Sequence, residues 1–329
     1  TADTFGMTFT TTVSSLLDAY CNGLNAYPNI WIEKDGKLVY GSVQPEMKTA
    51  LSKLANLYKS GYANYSALQG VDPTNDFWNG KTGIIIGQTN SALMCTEAYT
   101  RNPNVEISVV PAFKEDGSIA TVTSGLNSYR YYAVSKACKY PEVPIKLSNF
   151  FLAKMNEAQS NTELFNELFY SADGNKHFYN YAPVVQEDYP GRNYEISVNV
   201  AKALQAGSPD SLTTSVQKNV YSWVTDFTLN SKKANFGWNL LYGIGGTQSM
   251  QKAFFDNKAF IVNKFNGSPT ETMALKRTDL NALELDAFSK IITGENPIDS
   301  FDVFVSQWNE QGGSTITTEV NEWYKSVKR

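Results

Sequence analysis

The apolar positions of "QPEMKTALSKLANLYKSG" recur with the period of an α-helix. Met47, Leu51, Leu54 and Tyr58 fall on one face, Pro45 stands where a first helical turn tolerates it, and Gly61 marks the stop. The pattern predicts an amphipathic helix lying on a core. The next block, "NDFWNGKTGIIIGQTN", changes period. A loop leads into a short apolar run from Gly83 to Ile86, read as a buried strand, which ends in a polar turn of Gln88, Thr89 and Asn90. "VEISVVPAF" and "YRYYAVS" are further strand-like runs, and the loop Lys114 to Asn127 between them is the expected lobe crossing.

Helical spacing returns after Pro141. Pro144 would remove a backbone donor from a helix begun at Pro141, so the onset is predicted near Pro144. At the C-terminal end Phe301, Phe304, Val305 and Trp308 form one stripe, Gly312 and Gly313 break it, and Ile316, Val320, Trp323 and Val327 form the next. Two helices joined by a tight turn are predicted. Strands alternating with helices imply an α/β architecture with largely parallel sheets, whose ligands gather at the carboxyl ends of strands.

A chain of 329 residues exceeds the usual size of one core, so two lobes are expected. The net charge is −4, without a block of Lys or Arg, which argues against a nucleic acid or an anionic membrane surface as partner. No apolar run is long enough to cross a bilayer as a helix. The chain opens "TADTFG", with neither an initiator Met nor a signal-peptide core, and reads as a processed or excised product. Cys21, Cys95 and Cys138 lie far apart and form no CxxC; they are read as buried thiols with at most one disulfide.

Much enzymatic chemistry lacks its residues. His177 is the only histidine, so a zinc cluster of the usual kind or a histidine-based triad would have to be built around that one residue. The "GIGG" at Gly243 to Gly246 has neither the preceding strand nor the acidic partner of a dinucleotide fingerprint. The acidic pairs Glu115–Asp116 and Glu187–Asp188 could supply glycosidase carboxylates, but adjacent acids read more simply as solvated turns. No catalytic residue, metal or cofactor is expected.

Five segments together resemble a known family: "DGKLVYGSVQPEMKTALSKLANLYKSGY", "NGKTGIIIGQ", "YYAVSKACKYPEVPIKLSNFF", "NGSPTETM" and "FDVFVSQWNEQGGSTITTEVNEWYKS". In this order they look like the signatures of family 1 extracellular solute-binding lipoproteins of the LipO-like branch. The resemblance runs from "ADTFGM" to Tyr324. It implies the substrate-binding component of a bacterial ABC importer, not an enzyme, that binds a carbohydrate, commonly an oligosaccharide, and delivers it to the membrane permease. It also implies an extracytoplasmic, cell-surface protein held to the membrane only by a lipid anchor. The fold it implies is the type II periplasmic-binding-protein fold, two α/β lobes around a cleft. Residues 1–118 then form the first part of the second lobe, 119–195 return to the first lobe, and 196–329 belong mainly to the second. Family members carry a signal peptide, a lipidated cysteine and opening βαβ units ahead of the "ADTFG" segment, so the first lobe is expected to be incomplete in this chain. A peptide-like or other polar solute is the alternative ligand, and a carbohydrate-active enzyme using a carboxylate pair the alternative activity.

A sugar ring offers an apolar C–H face and a rim of hydroxyls, which flat aromatics and side-chain amides complement. In "NFGWNLLYGIGG" four glycines surround large aromatics, either to bring Trp238 to the cleft as a stacking plate or because Trp238 anchors a helix in the core. Gln88 and Asn90, at the end of a strand, are candidate hydroxyl partners or turn-stabilising amides. Tyr27 and Trp31 are candidates for the cleft wall or for packing between lobes. Asn127, Tyr129 and Tyr131 follow the crossing, and Phe265 and Asn266 open a segment that returns to the cleft in relatives; hinge or core roles would serve either group as well. Trp308 and Trp323 are read as core.

Overall fold

The structure, a computed structural model, describes residues 4–9, 13–64, 74–124, 132–169 and 191–328. From the N-terminus run β1 (Phe5–Phe9), α1 (Val13–Gly23), β2 (Trp31–Lys34), β3 (Lys37–Tyr40), α2 (Pro45–Lys59), β4 (Ala63–Asn64) and α3 (Thr74–Trp78). β5 (Thr82–Ile86), α4 (Ser91–Met94), α5 (Thr96–Arg101) and β6 (Val122–Ser124) follow. Then come α6 (Val143–Ser160), α7 (Thr162–Phe169), α8 (Arg192–Ala206), α9 (Ser215–Thr228), α10 (Phe236–Tyr242) and α11 (Thr247–Asp256). The chain closes with β7 (Phe260–Val262), α12 (Glu271–Thr293), α13 (Ser300–Trp308) and α14 (Ser314–Val327).

β4, β1 and β5 form a parallel sheet in that order, with Met7 opposite both Ala63 and Ile84. Alternation along the strands divides the helices between its two faces. Met7, Ala63 and Ile86 pack with α2, α12, α13 and α14 around Leu51, Leu54, Phe288 and Phe304. Ile85, one residue out of phase, packs on the other side with Trp78, Val200, Val220 and Leu241 of α3, α8, α9 and α10. This is a three-layer α/β arrangement. A two-stranded antiparallel ribbon, β2–β3, and a parallel pair, β6–β7, stand apart from this sheet.

The helix predicted from "QPEMKTALSKLANLYKSG" is α2. Pro45 opens it, Met47, Leu51 and Leu54 are buried, and Gly61 adopts a left-handed φ of +70° just beyond its end. α6 begins at Val143 with Pro144 in its first turn, where the missing N–H leaves no hydrogen bond unmade. α13 and α14 bury Phe301, Phe304, Trp308, Ile316 and Val320 as the stripes require, although Val327 is exposed. At their junction Gly312 takes φ +133°, and a Cβ on Gly313 would lie 2.0 Å from the Trp308 indole, so both positions require glycine.

Several expectations fail for identifiable reasons. β5 forms, but Ile84 is 54% exposed because β5 is an edge strand among the described residues and that stretch of its face is uncovered. "VEISVVPAF" joins no ladder among the described residues; only Phe113 bridges, to Ile119. Its side chains nevertheless alternate between half-buried and exposed from Val105 to Val110. Residues 129–131 of "YRYYAVS" lie outside the described residues, and Tyr132 to Ser135 are irregular and exposed. Cys21 and Cys95 are buried and Cys138 is exposed, all three as free thiols. Cys138 sits between lysines in the loop before α6, where no core is available to cover it.

Candidate functional site

The carboxyl end of β5 runs into the Gln88–Asn90 turn, which opens α4 through Ser91 N–H donating to Gln88 O at 2.8 Å. Gln88 and Asn90 are both exposed, and Asn90 precedes α4 without a side-chain capping bond. A second turn closes on this one: Thr247, at the start of α11, donates its hydroxyl to Thr89 O at 3.0 Å. The glycines of "GIGG" allow that approach. Gly245 adopts φ +75°, and a Cβ on Gly246 would lie 2.8 Å from the carbonyl oxygens of Leu240 and Leu241.

α10 lies across α4 at the same corner. A Cβ on Gly237 would stand 2.7 Å from Leu93 Cα, and the Gly237 N–H donates to Thr96 Oγ1 at 3.0 Å. Gly237 thus lets two helix backbones touch. Trp238, the next residue, is half-buried, its ring centroid 4.3 Å from that of Trp223 on α9 and 6.1 Å from that of Tyr242. Trp238 is therefore an anchor of this helix layer that stays partly open to solvent. Trp223 was missed by sequence reading; it lies beside the Val220–Val224 stripe of α9, where a helix shows its flank.

The other candidates belong to the opposite helix layer. Trp31 is 5% exposed and packs its ring 5.4 Å from Tyr40, which in turn stacks on Trp308 at 5.1 Å, so Trp31 is a core residue. Tyr27 is half-buried, its carbonyl lying against Gly41, where a Cβ would be 1.8 Å from the oxygen. Trp31 N–H donates to Asn263 Oδ1 and Trp31 O accepts from Lys264 N–H, which brings Phe265 into the same group. Phe265 is half-buried edge-on to Trp323 at 4.9 Å, and Asn266 is exposed. The structure thus brings Gln88, Asn90 and Trp238 to one corner and Tyr27, Trp31, Phe265 and Asn266 to another. Asn127, Tyr129 and Tyr131 lie outside the described residues, as do His177, Glu187 and Asp188.

Of the acidic pairs singled out from the sequence, Glu115 and Asp116 are described, and both are engaged. Glu115 is ion-paired with Lys53. Asp116 accepts from Ser118 N–H at 2.9 Å in a turn, and this contact with Ser118 holds its carboxyl below the usual range. Two acids that the sequence did not reveal are displaced the other way. Burial raises Asp18 to about 7, with a further push from Glu284, and burial raises Glu284 to about 7 against the lowering effect of the hydroxyls of Ser42 and Tyr40. Glu284 is 6% exposed. Among the described residues no group of three or more His, Cys, Asp and Glu side chains is placed to hold a metal.

Two surface hollows of about 560 Å3 lie elsewhere, one beside Ser289 and Lys290 of α12 and one beside Lys218 and Tyr221 of α9. Neither includes a candidate ligand residue, although Tyr58 of the α2 stripe lines the first.

No protein-family model matches the chain. It is 22% identical over 267 residues to an uncharacterized protein in the butB 5' region of Niallia circulans, covering 77% of this chain and 88% of that one. It is 23% identical over 321 residues to lipoprotein LipO of Bacillus subtilis (strain 168), covering 92% of this chain and 55% of LipO. Among solved structures, the alginate-binding protein AlgQ2, crystallised without calcium ion, superposes with a TM-score of 0.56 at 12% identity. That match covers 97% of this chain and 64% of the other. The chain shares the fold of a solute-binding protein. It spans about half the length of LipO and under two thirds of the alginate-binding chain. No described helix is long and apolar enough to cross a membrane.

Proposed function

We propose that this protein is the substrate-binding component of a bacterial ABC importer, which captures a carbohydrate, in particular an oligosaccharide, and passes it unchanged to the membrane permease. The observation that carries the reading is the likeness to an alginate-binding protein along 97% of the chain. The corner at the end of β5 supplies suitable chemistry. Trp238 offers one face of an indole backed by Trp223, and the exposed amides of Gln88 and Asn90 offer both donors and acceptors to hydroxyls. Similarity to a lipoprotein supports an extracytoplasmic place, with a lipid anchor as the link to the membrane.

The ligand cleft lies between two lobes of the type II periplasmic-binding-protein fold, with residues 119–195 contributing to the first lobe. In support, α6 and the approach to it expose apolar side chains that a neighbouring layer would cover: Tyr140 is 65% exposed, Ile145 66% and Phe150 63%. Closure around ligand is then favoured by contacts made to both lobes.

A tryptophan-fluorescence titration with oligosaccharides tests the reading. The wild-type emission should change saturably, and Trp238→Ala should lose that response while melting as a folded protein. Undiminished affinity in Trp238→Ala would remove this corner from the site. A response to peptides but not to sugars would favour the polar-solute alternative.

A further inference from the structure

Two stretches of the chain run longer than any others without Asp, Glu, Lys or Arg: the residues between Lys81 and Glu97, and those between Lys233 and Lys252. They are distant in sequence and meet in space. Gly237 of α10 lies against Leu93 of α4 and donates its N–H to Thr96, and Thr247 at the start of α11 donates to Thr89 O in the turn after β5. The two longest uncharged runs therefore build a single corner, the one that holds Gln88, Asn90 and Trp238.

Burial explains part of this pattern. Phe236, Leu240 and Leu241 are core positions, where an unpaired charge is costly. It does not explain the surface of the same two runs. Gln88 and Asn90 are exposed, Met94 is 43% exposed and Ile244 65%. Solvent accepts a charged side chain at such positions, which Lys, Glu, Arg and Asp ordinarily occupy. Here they carry two amides, a thioether and an aliphatic chain.

The charges that bound the runs are placed or engaged elsewhere. Lys81 precedes β5, at the strand end opposite the Gln88–Asn90 turn. Glu97 pairs with Arg101 along α5, and Lys252 pairs with Asp256 along α11. Lys233 is exposed ahead of α10. Arg192 of α8 acts electrostatically on Tyr242, which is buried. The first turn of α11 adds partial positive charge, but an exposed helix terminus attracts an anion less strongly than an ammonium or guanidinium does.

We infer that this corner selects an uncharged glycan and discriminates against uronates and other acidic sugars. The inference rests on the carbohydrate reading above and narrows it. Hydroxyls of a neutral sugar exchange water for the Gln88 and Asn90 amides, each of which both donates and accepts, while a C–H face covers the Trp238 indole. A carboxylate brought to the same place gives up water and meets no cation among the residues of either run.

The test is calorimetric titration of the full chain with a neutral and a uronate oligosaccharide of equal length, each at low and high salt. The neutral sugar should bind at least about tenfold more tightly, with a Kd that changes less than about twofold between about 50 and 500 mM salt. Asn90→Arg puts a cation at the corner, at a helical φ of −72° and with no side-chain capping bond to lose. It should cut the preference for the neutral sugar about tenfold. Gln88→Ala should weaken neutral binding while the protein melts as wild type does. Uronate binding as tight as neutral binding would overturn the selectivity and leave the carbohydrate reading standing. Neutral binding that neither variant alters would move the ligand away from this corner and overturn the inference in that way. No binding of either sugar would remove the carbohydrate reading and this inference together.

Discussion

Gly237 shows how one residue can be read correctly in chemistry and wrongly in purpose. A glycine beside a tryptophan suggests a backbone turning to present the ring. In the structure Gly237 is inside α10, and what it admits is the backbone of α4, 2.7 Å from where its Cβ would be. Substitution by alanine should therefore cost about 1–3 kcal/mol through overpacking, measured as a lower urea midpoint with an unchanged slope. A midpoint within error of wild type would mean that the two helices separate easily and that the close approach carries no energy. Trp238 packs against Trp223 and Tyr242 yet is only half-buried. Burial of one face of a ring is set by its neighbours in space, so the sequence could name the residue and not decide its role. Trp31 has a similar composition around it and is fully in the core.

Elements were legible where one strong period met clear ends. α2 has its proline, stripe and glycine, and α13 and α14 have stripes broken by two glycines that the geometry requires. α12 shows why others were not. Its buried positions include Leu280, Glu284, Phe288 and Ile291, so the inward stripe of the longest described helix contains a carboxylate and reads as interrupted. Strands were recognisable by composition but not by pairing, since a ladder is a property of two segments: "TGIII" finds β1 while "VEISVV" finds no ladder partner among the described residues. Side chains can complete a sheet edge instead. Asn321 on α14 accepts from Leu38 N–H at 2.9 Å and donates to Leu38 O at 2.8 Å, bracketing a residue of β3 that is wholly buried. Asn321→Ala leaves that backbone donor and acceptor unpaired in the core and should destabilise the protein by about 1–3 kcal/mol in chemical denaturation. A loss well under 1 kcal/mol would show that water reaches the β3 edge.

The whole molecule carries its information in coverage. A three-layer arrangement covers the parallel sheet on both faces except along β5, where Ile84 is exposed, and Ile145 and Phe150 of α6 are largely exposed as well. Some large aromatics remain on the surface. They are Tyr and Phe: Tyr62, Tyr140 and Phe150 are exposed, whereas each described tryptophan is buried or half-buried. The central claim, reversible capture of a carbohydrate without chemistry, is tested most directly by calorimetric titration of the full chain with neutral and uronate oligosaccharides, followed by analysis of the recovered sugar. The account predicts saturable binding of at least one of them and recovery of that ligand intact; cleavage products, or no binding across both classes, would contradict it.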